Sequence, residues 1–274
     1  MSASSPGVRP RSTGAPPRSE TRRLAPFGLR TRTVTGRDAV GAYVVVRCAD
    51  PDGPRPQPGQ FYMLRAAERW GGGEDERPFL GRAFSVLRAP TGELHFLLED
   101  VGPGTNRLCE LGPGDGLAVL GPLGHGFDPP AEGRRPVLVG GGVGIAPLAI
   151  LQDELAEPVT VLLGFRDGAH ARGAQLLRDA KVATDDGSVG YHGLVTDLLR
   201  HEPDDVEVYA CGPEPMLAAV RDICASRGLP AQVALEAPMG CGYGACFGCA
   251  VPTRRGLVRL CLEGPVLRTS DWVP

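Results

Sequence analysis

Hydrophobic and polar positions divide the chain into two stretches with different rhythms. From about residue 27 to residue 133, short segments that favour β-structure are separated by Gly and Pro, and no helical period of useful length appears. The segments are Tyr43–Arg47, Gly59–Arg65, Ala83–Arg88, Leu94–Glu99 and Gly116–Leu120. Short strands separated by turn residues predict an antiparallel barrel.

From about residue 134, strand patterns and helix patterns alternate. The predicted strands are Pro136–Val139, Val159–Gly164 and Glu207–Ala210, and the predicted helices are Pro147–Leu155, Gln175–Lys181, Val195–Arg200 and Pro215–Arg227. Strands that alternate with helices predict a parallel α/β sheet. The two rhythms place a barrel domain at residues 26–133 and an α/β domain at residues 134–234.

The two ends of the chain differ from both domains. Residues 1–25 are rich in Pro, Ser and Arg without apolar periodicity, which predicts a disordered tail. Such a start also resembles an organelle transit peptide, although its prolines disfavour an amphipathic helix. Residues 235–274 are rich in Gly and Cys and have too little apolar content for a core of their own, so we expect a metal to stabilise this segment.

Composition excludes several classes of function. The chain has 274 residues and a formal net charge of −3, so bulk charge attracts neither nucleic acid nor anionic lipid. No apolar run approaches the roughly 20 residues of a membrane span. The start shows no signal-peptide pattern, which favours a cytoplasmic protein with reduced thiols. Clustered cysteines in such a protein indicate metal ligands before disulfides.

Four of the eight cysteines cluster near the C-terminus. Cys241, Cys246, Cys249 and Cys261 have the spacing C-x4-C-x2-C-x11-C. The first three match the spacing of plant-type [2Fe–2S] proteins, in which a fourth cysteine follows later. Interspersed glycines let the loop wrap closely and point N–H groups at the sulfurs. A four-cysteine zinc site is the alternative, but zinc usually favours pairs of C-x2-C.

A weaker motif lies on the predicted barrel. Arg82 stands three residues before Ser85, and its guanidinium offers a fixed fork for a phosphate. Phe84 and Ser85 can lie against a flavin ring. Gly104 and Thr105, in a later turn, can give backbone donors and a hydroxyl to a pyrophosphate. Alone, this pattern fits an ordinary exposed strand arginine better than a phosphate site.

Two further motifs lie in the α/β stretch. The sequence GGGVGIAP at 140–147, which includes Gly142 and Gly144, follows a strand and opens a helix, as a phosphate loop requires. It does not match G-x-G-x-x-G cleanly, and a packed strand–helix turn is the alternative. Cys211 ends another strand, where its thiol would point into a ligand crevice or be buried in a turn.

In combination and in order, these motifs resemble the ferredoxin-reductase-like flavoproteins, and more closely the electron-transfer subunits of class 1B dihydroorotate dehydrogenases. The resemblance runs from about Pro26 to the end. It rests on R-x-F-S at 82–85, G-x-G-T at 102–105, GPLG at 121–124, GGGVGIAPL at 140–148, GFR at 164–166, TDDGS-x-G-x-x-G-x-V at 184–195, CGPEPM at 211–216 and E-x-x-M-x-C-G-x-G-x-C-x-x-C at 236–249. Ala83 departs from the family, which commonly has Pro there.

The resemblance implies an FAD-binding Greek-key barrel, a parallel α/β domain that binds NAD(H), and a small C-terminal [2Fe–2S] segment. Carried over, the site residues are Arg82, Phe84 and Ser85 for FAD, Gly104 and Thr105 at its phosphates, Gly142, Gly144 and Cys211 on the NAD side, and Cys241, Cys246, Cys249 and Cys261 for the cluster. No separate catalytic side chain is implied.

The implied activity is electron transfer between NAD(H), FAD and the cluster, to or from an FMN-bearing dihydroorotate dehydrogenase catalytic subunit in pyrimidine biosynthesis, in a heterotetramer. One alternative is a sister NAD(P)H-dependent ferredoxin or sulfur/sulfite reductase subunit. An alternative of another class is a zinc-stabilised, non-catalytic interaction module. NAD is favoured because Asp167 would repel a 2′-phosphate, although Arg166 and Arg172 nearby would attract one.

Overall fold

The computed structural model describes residues 28–71, 78–156 and 158–273. The predicted disordered tail at 1–25 lies outside the described residues and stays a prediction. In the described part of the chain, no helix is long and apolar enough to cross a membrane.

The first half forms a closed barrel of six antiparallel strands. They are β1 (Arg30–Val40), β2 (Tyr43–Ala49), β3 (Phe61–Ala66), β4 (Arg82–Arg88), β5 (Glu93–Glu99) and β6 (Gly116–Leu123). The order around the barrel is β1-β2-β5-β4-β3-β6, so β2 pairs with β5 and the two intervening strands fold back in Greek-key fashion. A short helix, α1 (Pro103–Cys109), follows β5. The predicted barrel is therefore confirmed.

Strand β1 is the barrel strand that the hydrophobic pattern missed. Most of its side chains are polar, and Arg30 and Arg32 near its start both reach the carboxylate of Asp50, which follows β2. Arg30 Nη2 lies 2.6 Å from Asp50 Oδ2, and Arg32 Nε lies 2.6 Å from Asp50 Oδ1. Only 2% of the Asp50 side chain is exposed. An almost buried ion pair thus fixes a polar strand to the barrel.

The second half is a parallel sheet covered by helices. Its parallel strands are β7 (Arg135–Gly141), β8 (Thr160–Phe165), β9 (Ala180–Thr184), β10 (Tyr191–His192), β11 (Val206–Cys211) and β12 (Ala231–Ala234). Its helices are α2 (Ala146–Glu154), α3 (Gly168–Ala171), α4 (Val195–Leu199) and α5 (Glu214–Arg227), with 3-10 turns at Gly142–Ile145 and Arg172–Leu176. The predicted α/β sheet is confirmed.

The predicted helix at Gln175–Lys181 is wrong. Residues 172–176 form a short 3-10 turn, Asp179 adopts a positive φ of 54°, and the chain then enters β9. Leu176 and Leu177 look like part of a helical face, but the residues after them pair with β8 in parallel register. Pairing with a buried neighbouring strand overrides the local helical pattern.

The C-terminal segment joins the α/β sheet rather than standing apart. It contains a hairpin of β13 (Ala250–Thr253) and β14 (Gly256–Arg259), the short helix α6 (Leu260–Glu263) and β15 (Val266–Arg268). Strand β15 adds antiparallel to β12, so the sheet has the order β10-β9-β8-β7-β11-β12-β15. The cysteine-bearing loop between β12 and β13 is therefore anchored at both ends.

We expect Asp50→Asn to lower the free energy of unfolding at pH 7 by about 3 kcal/mol, because it leaves two largely buried guanidinium groups without their carboxylate. Burial opposes ionisation of the Asp50 carboxyl, but Arg30 and Arg32 outweigh it and hold its pKa below the ordinary 3.8. Such a carboxylate stabilises the fold above its unfolded pKa and loses that contribution as pH falls through the folded pKa. Urea unfolding should therefore show a difference in the free energy of unfolding between wild type and variant that is smaller at pH 3 than at pH 7.

The matched control for this prediction is Asp205→Asn. Asp205 pairs with Arg135 at 2.7 Å, but more than half of each side chain is exposed, and exposed pairs add little stability. Equal effects of the two variants at pH 7 would contradict the role given to Asp50.

Candidate functional site

A cavity of about 170 Å³ lies where the barrel meets the α/β sheet. It is lined by Phe61, Ala83, Phe84, Ser85, Leu97, Val143, Gly144, Ala146, Leu235, Glu236, Ala237, Met239 and Pro265. Most of this wall is apolar, and Ser85 and Glu236 add polar side chains. The structure thus brings the predicted flavin motif on β4 and the predicted nucleotide loop after β7 onto one cavity, which suits a flat aromatic ring.

Arg82, at the start of β4, lies against the first turn of α1. A Cβ built on Gly104 would stand 2.6 Å from Arg82 Nε, so this position leaves room for no side chain. The guanidinium donates to the carbonyl oxygen of Leu80 at 2.6 Å and lies 5.9 Å from the ring centre of Trp70. The Arg82 cation thus lies beside the glycine turn at the start of α1, and a guanidinium in such a place can bind a phosphate.

The hydroxyl of Thr105 is engaged within that turn. Its oxygen accepts hydrogen bonds from the N–H groups of Val101 and Gly102 at 2.9 and 3.0 Å, and it donates to the carbonyl oxygen of Gly102 at 2.9 Å. Thr105 therefore shapes the turn that Arg82 contacts. Its predicted contact with a phosphate stays a prediction.

The glycine loop after β7 packs backbone to backbone against the end of β11. A Cβ on Gly144 would stand 2.7 Å from the carbonyl oxygen of Cys211 and from Gly212, while Gly142 has a positive φ of 55°. The hydroxyl of Tyr43 is buried near this loop without a hydrogen-bond partner, 4.0 Å from where a Cβ of Gly142 would lie. The glycines leave the backbone of this loop uncovered, and the Tyr43 hydroxyl beside it lacks a hydrogen-bond partner. Both features fit a bound nucleotide.

Cys211 lies behind this loop, with 1% of its surface exposed. Burial, and then the charge of Glu236, raise the pKa of its thiol well above the usual value, so the thiol is neutral. The predicted contact between Cys211 and a nicotinamide stays a prediction.

Glu236 is a cavity residue that the sequence analysis did not assign. Its carboxylate is open to the cavity, yet protein atoms crowd the other sides, and this burial raises its pKa above the usual value. The sequence signal was its position as the first residue of the motif that contains the cysteines. Nothing in that pattern indicated that its side chain reaches the cavity.

The four cysteines lie on the loop between β12 and β13 and on α6. Cys241 and Cys246 are partly or fully exposed, whereas Cys249 and Cys261 are buried. The thiol of Cys246 accepts a hydrogen bond from the N–H of Gly248 at 3.5 Å. Four thiolates are what the two irons of a [2Fe–2S] cluster need. In the described part of the chain, no three or more His, Cys, Asp or Glu side chains are arranged to hold one metal ion.

Glycines give this loop its shape. A Cβ on Gly240 or Gly248 would stand 3.5 or 3.6 Å from the sulfur of Cys246, in van der Waals contact, so the loop wraps closely around this thiol. Gly242 and Gly244 adopt positive φ angles of 79° and 83°, which favour glycine. The donor set and the open loop fit an iron–sulfur cluster.

Comparisons with known proteins show which chains are similar to this one. The family model of the iron-sulfur cluster binding domain of dihydroorotate dehydrogenase B matches residues 236–272. The dihydroorotate dehydrogenase B (NAD(+)) electron transfer subunit of Clostridium acetobutylicum is 36% identical over 79% of this chain and 86% of its own length. The same subunit of Desulforamulus reducens is 39% identical over 76% of this chain and 84% of its own length.

Among solved structures, an NADH-dependent reduced ferredoxin-NADP oxidoreductase studied for flavin-based electron bifurcation superposes with a TM-score of 0.74. It is 25% identical, and the match covers 88% of each chain.

We expect Cys246 to be the first thiol alkylated in the chain freed of metal. The N–H of Gly248, and then Cys241, lower the pKa of Cys246 to about 7, so this thiol forms the reactive thiolate near neutral pH. Cys48 and Cys224 are buried with pKa values raised to about 12 and serve as internal controls. Substoichiometric iodoacetamide followed by peptide mass spectrometry measures the order, and first labelling at either control would contradict the assignment.

Proposed function

The chain belongs to the family of the electron transfer subunits of NAD(+)-dependent dihydroorotate dehydrogenase B, and on this premise we propose that it moves electrons between NAD(H) and a separate dihydroorotate dehydrogenase catalytic subunit. The observation that carries the proposal is that the segment lining the cavity leads directly into the cysteine loop. Leu235, Glu236, Ala237 and Met239 wall the cavity, and Cys241 follows two residues after Met239. One short segment therefore joins the proposed flavin site to the proposed cluster site.

FAD, NAD(H) and a [2Fe–2S] cluster are the cofactors of this oxidoreductase subunit. When bound, FAD takes the two electrons of a hydride and can pass them on singly, as a cluster requires. We propose that Arg82 and the turn at Gly104 and Thr105 hold its phosphates, and that Phe84 and Ser85 face its ring. The apolar wall would exclude water from that ring.

On the nicotinamide side, we propose that Gly142, Gly144 and Cys211 border the bound dinucleotide. The loop at 166–170 supports a preference for NAD over NADP. Arg166 Nη2 lies 3.1 Å from Glu99 Oε1, and Arg166 Nε lies 3.7 Å from Asp167 Oδ2. Because two carboxylates already balance Arg166, its attraction for a 2′-phosphate is weak.

The surface over the cluster site supports the proposed partner. The side chains of Leu80, Tyr243 and Phe247 are exposed, and Leu80 lies 4.0 Å from where a Cβ of Gly240 would stand. Apolar side chains exposed together mark an interaction surface. We propose that an FMN-bearing catalytic subunit covers them in a heterotetramer. We propose that the protein is located in the cytoplasm, where such thiols stay reduced.

We propose a division of labour that follows the chain: residues 26–133 bind FAD, residues 134–234 bind NAD(H), and residues 235–274 hold the cluster. The last barrel strand ends at Leu123, the first sheet strand begins at Arg135, and β12 ends at Ala234. These element bounds support the three proposed limits.

We expect Arg82→Gln to weaken FAD binding at least tenfold, because a hydrogen bond to a charged group contributes about 1.5–3 kcal/mol. The FAD affinity of Arg82→Lys should lie between those of wild type and Arg82→Gln, because lysine keeps the charge but lacks the two-pronged guanidinium. Flavin fluorescence titration of the flavin-depleted chain measures the affinity. The control is Arg88→Gln on the same strand, where the guanidinium binds Asp153 at 2.8 Å. Equal losses in the two glutamine variants would contradict the assignment.

The function as a whole is tested by purifying the tagged chain from its native host under anaerobic conditions. We expect a yellow protein that shows a [2Fe–2S] signal in electron paramagnetic resonance (EPR) when reduced, and that co-purifies with an FMN-bearing dihydroorotate dehydrogenase catalytic chain. Cys246→Ser should remove the EPR signal and keep the flavin. A colourless, zinc-loaded protein would refute the proposal, and a ferredoxin or sulfite-reducing partner would overturn only its partner.

A further inference from the structure

Arg259, at the end of β14, lies against the loop that carries the cysteines. Its Nη1 donates to the carbonyl oxygen of Gly244 at 3.1 Å, and its guanidinium lies 4.8 Å from the ring centre of Phe247. The backbone of Arg259 pairs with Ala250, the residue after Cys249. Only 15% of the side chain is exposed. The cation is thus held on the loop by a hydrogen bond, an aromatic ring and a strand pair.

Glu263 binds the opposite side of this guanidinium. Its Oε1 lies 3.0 Å from Arg259 Nη2, and its Oε2 accepts a hydrogen bond from the Arg259 N–H at 2.7 Å. The side chain of Glu263 is 45% exposed, so it faces solvent more than Arg259 does. Cys261, on α6, lies between these two residues in the sequence. The ion pair is therefore oriented, with its cation toward the cysteine loop.

Arg259 lies close to the cysteines along the backbone. Gly244, whose carbonyl oxygen its guanidinium binds, stands between Cys241 and Cys246, and Cys261 follows Arg259 by two residues. The N–H of the next residue, Leu260, donates to the carbonyl oxygen of Cys249 at 3.1 Å. An arginine stays protonated at every pH at which the protein is folded, so its effect does not depend on titration. Charge and hydrogen bonds around the sulfurs are among the factors that set the potential of an iron–sulfur cluster.

We propose that Arg259 and Glu263 form a pair that sets the reduction potential of the cluster. The Arg259 cation favours the reduced cluster, and the Glu263 carboxylate opposes it. This inference rests on the proposed function, since it needs a [2Fe–2S] cluster on the four cysteines. Arg259 is a positioning and potential-setting residue and exchanges no electron itself.

Reduction would add one electron, supplied by reduced flavin, to a cluster held by the four cysteines. No bond would form or break, and the cluster would become one charge more negative. A nearby cation stabilises the more negative state, whereas a nearby anion destabilises it. The partial burial of Arg259 limits screening of this effect by salt.

The experiment is an anaerobic redox titration of the full chain followed by the EPR signal of the reduced cluster. For Arg259→Gln we expect the equilibrium constant of cluster reduction to fall about tenfold, which is about 59 mV for one electron. For Glu263→Gln we expect a shift in the opposite direction. Arg259→Lys should keep most of the wild-type potential because it keeps the charge.

The matched controls are Arg255→Gln and Asp271→Asn. This pair joins the hairpin turn to the C-terminus at 2.9 Å, and three-quarters of the Arg255 side chain is exposed. We expect neither control to shift the potential. Iron and sulfide contents are measured for every variant, so that incomplete cluster loading is separated from a change in potential.

Shifts of the same sign in Arg259→Gln and Glu263→Gln would overturn the proposal, as would wild-type potentials in both fully loaded variants. A loss in Arg259→Lys as large as that in Arg259→Gln would also overturn it, because the hydrogen bond to Gly244 rather than the charge would then be responsible. If Arg259→Gln does not load the cluster, the lysine variant and Glu263→Gln decide. A wild-type chain without a [2Fe–2S] signal would instead refute the proposed function.

Discussion

The close packing of the cysteine loop against both halves of the molecule is the constraint on which the rest depends. A Cβ on Gly242 would stand 2.5 Å from Met63 and 3.0 Å from Leu123, two residues of the barrel. Beyond the cysteines, the carbonyl oxygen of Gly264 accepts a hydrogen bond from the N–H of His125, and β15 extends the α/β sheet. The segment that carries the cysteines is thereby fixed between two well-packed units.

This packing explains why the segment needs no core of its own to have a defined place. Leu260, Cys261 and Trp272 belong to one buried cluster that also contains Phe61 of the barrel and Val208 of the α/β sheet. Apolar contacts of that kind hold the backbone of the loop on one side. The thiols of Cys241 and Cys246 lie nearer the surface, where a bound metal would supply the remaining constraint. Packing and metal therefore act on different parts of one segment.

Much of the architecture was predictable because it follows from periodicity and turn residues. The barrel strands at Tyr43–Ala49 and Glu93–Glu99 and the helix at Glu214–Arg227 carry their own patterns. Strand β1 was not predictable, because its place depends on Asp50, which lies 18 to 20 positions further along the chain. The helix prediction at 175–181 was wrong for a similar reason, because the end of this segment becomes a strand only by pairing with β8.

The candidate site also has a part that the sequence predicts and a part that it does not. The cysteine spacing and the glycine loops are local, so the sequence predicts them residue by residue. The contacts of Arg259 with Gly244 and Phe247 cross from one strand to a loop 12 to 15 positions earlier, and no spacing rule indicates them.

Ligand residues are thus fixed by local geometry, whereas the groups that surround the ligands are brought in by tertiary packing. Since the potential of a cluster depends on those surrounding groups, two chains with identical cysteine spacing can differ in the electron acceptors they reduce. Specificity for a partner therefore resides in the part of the site that the motif does not contain.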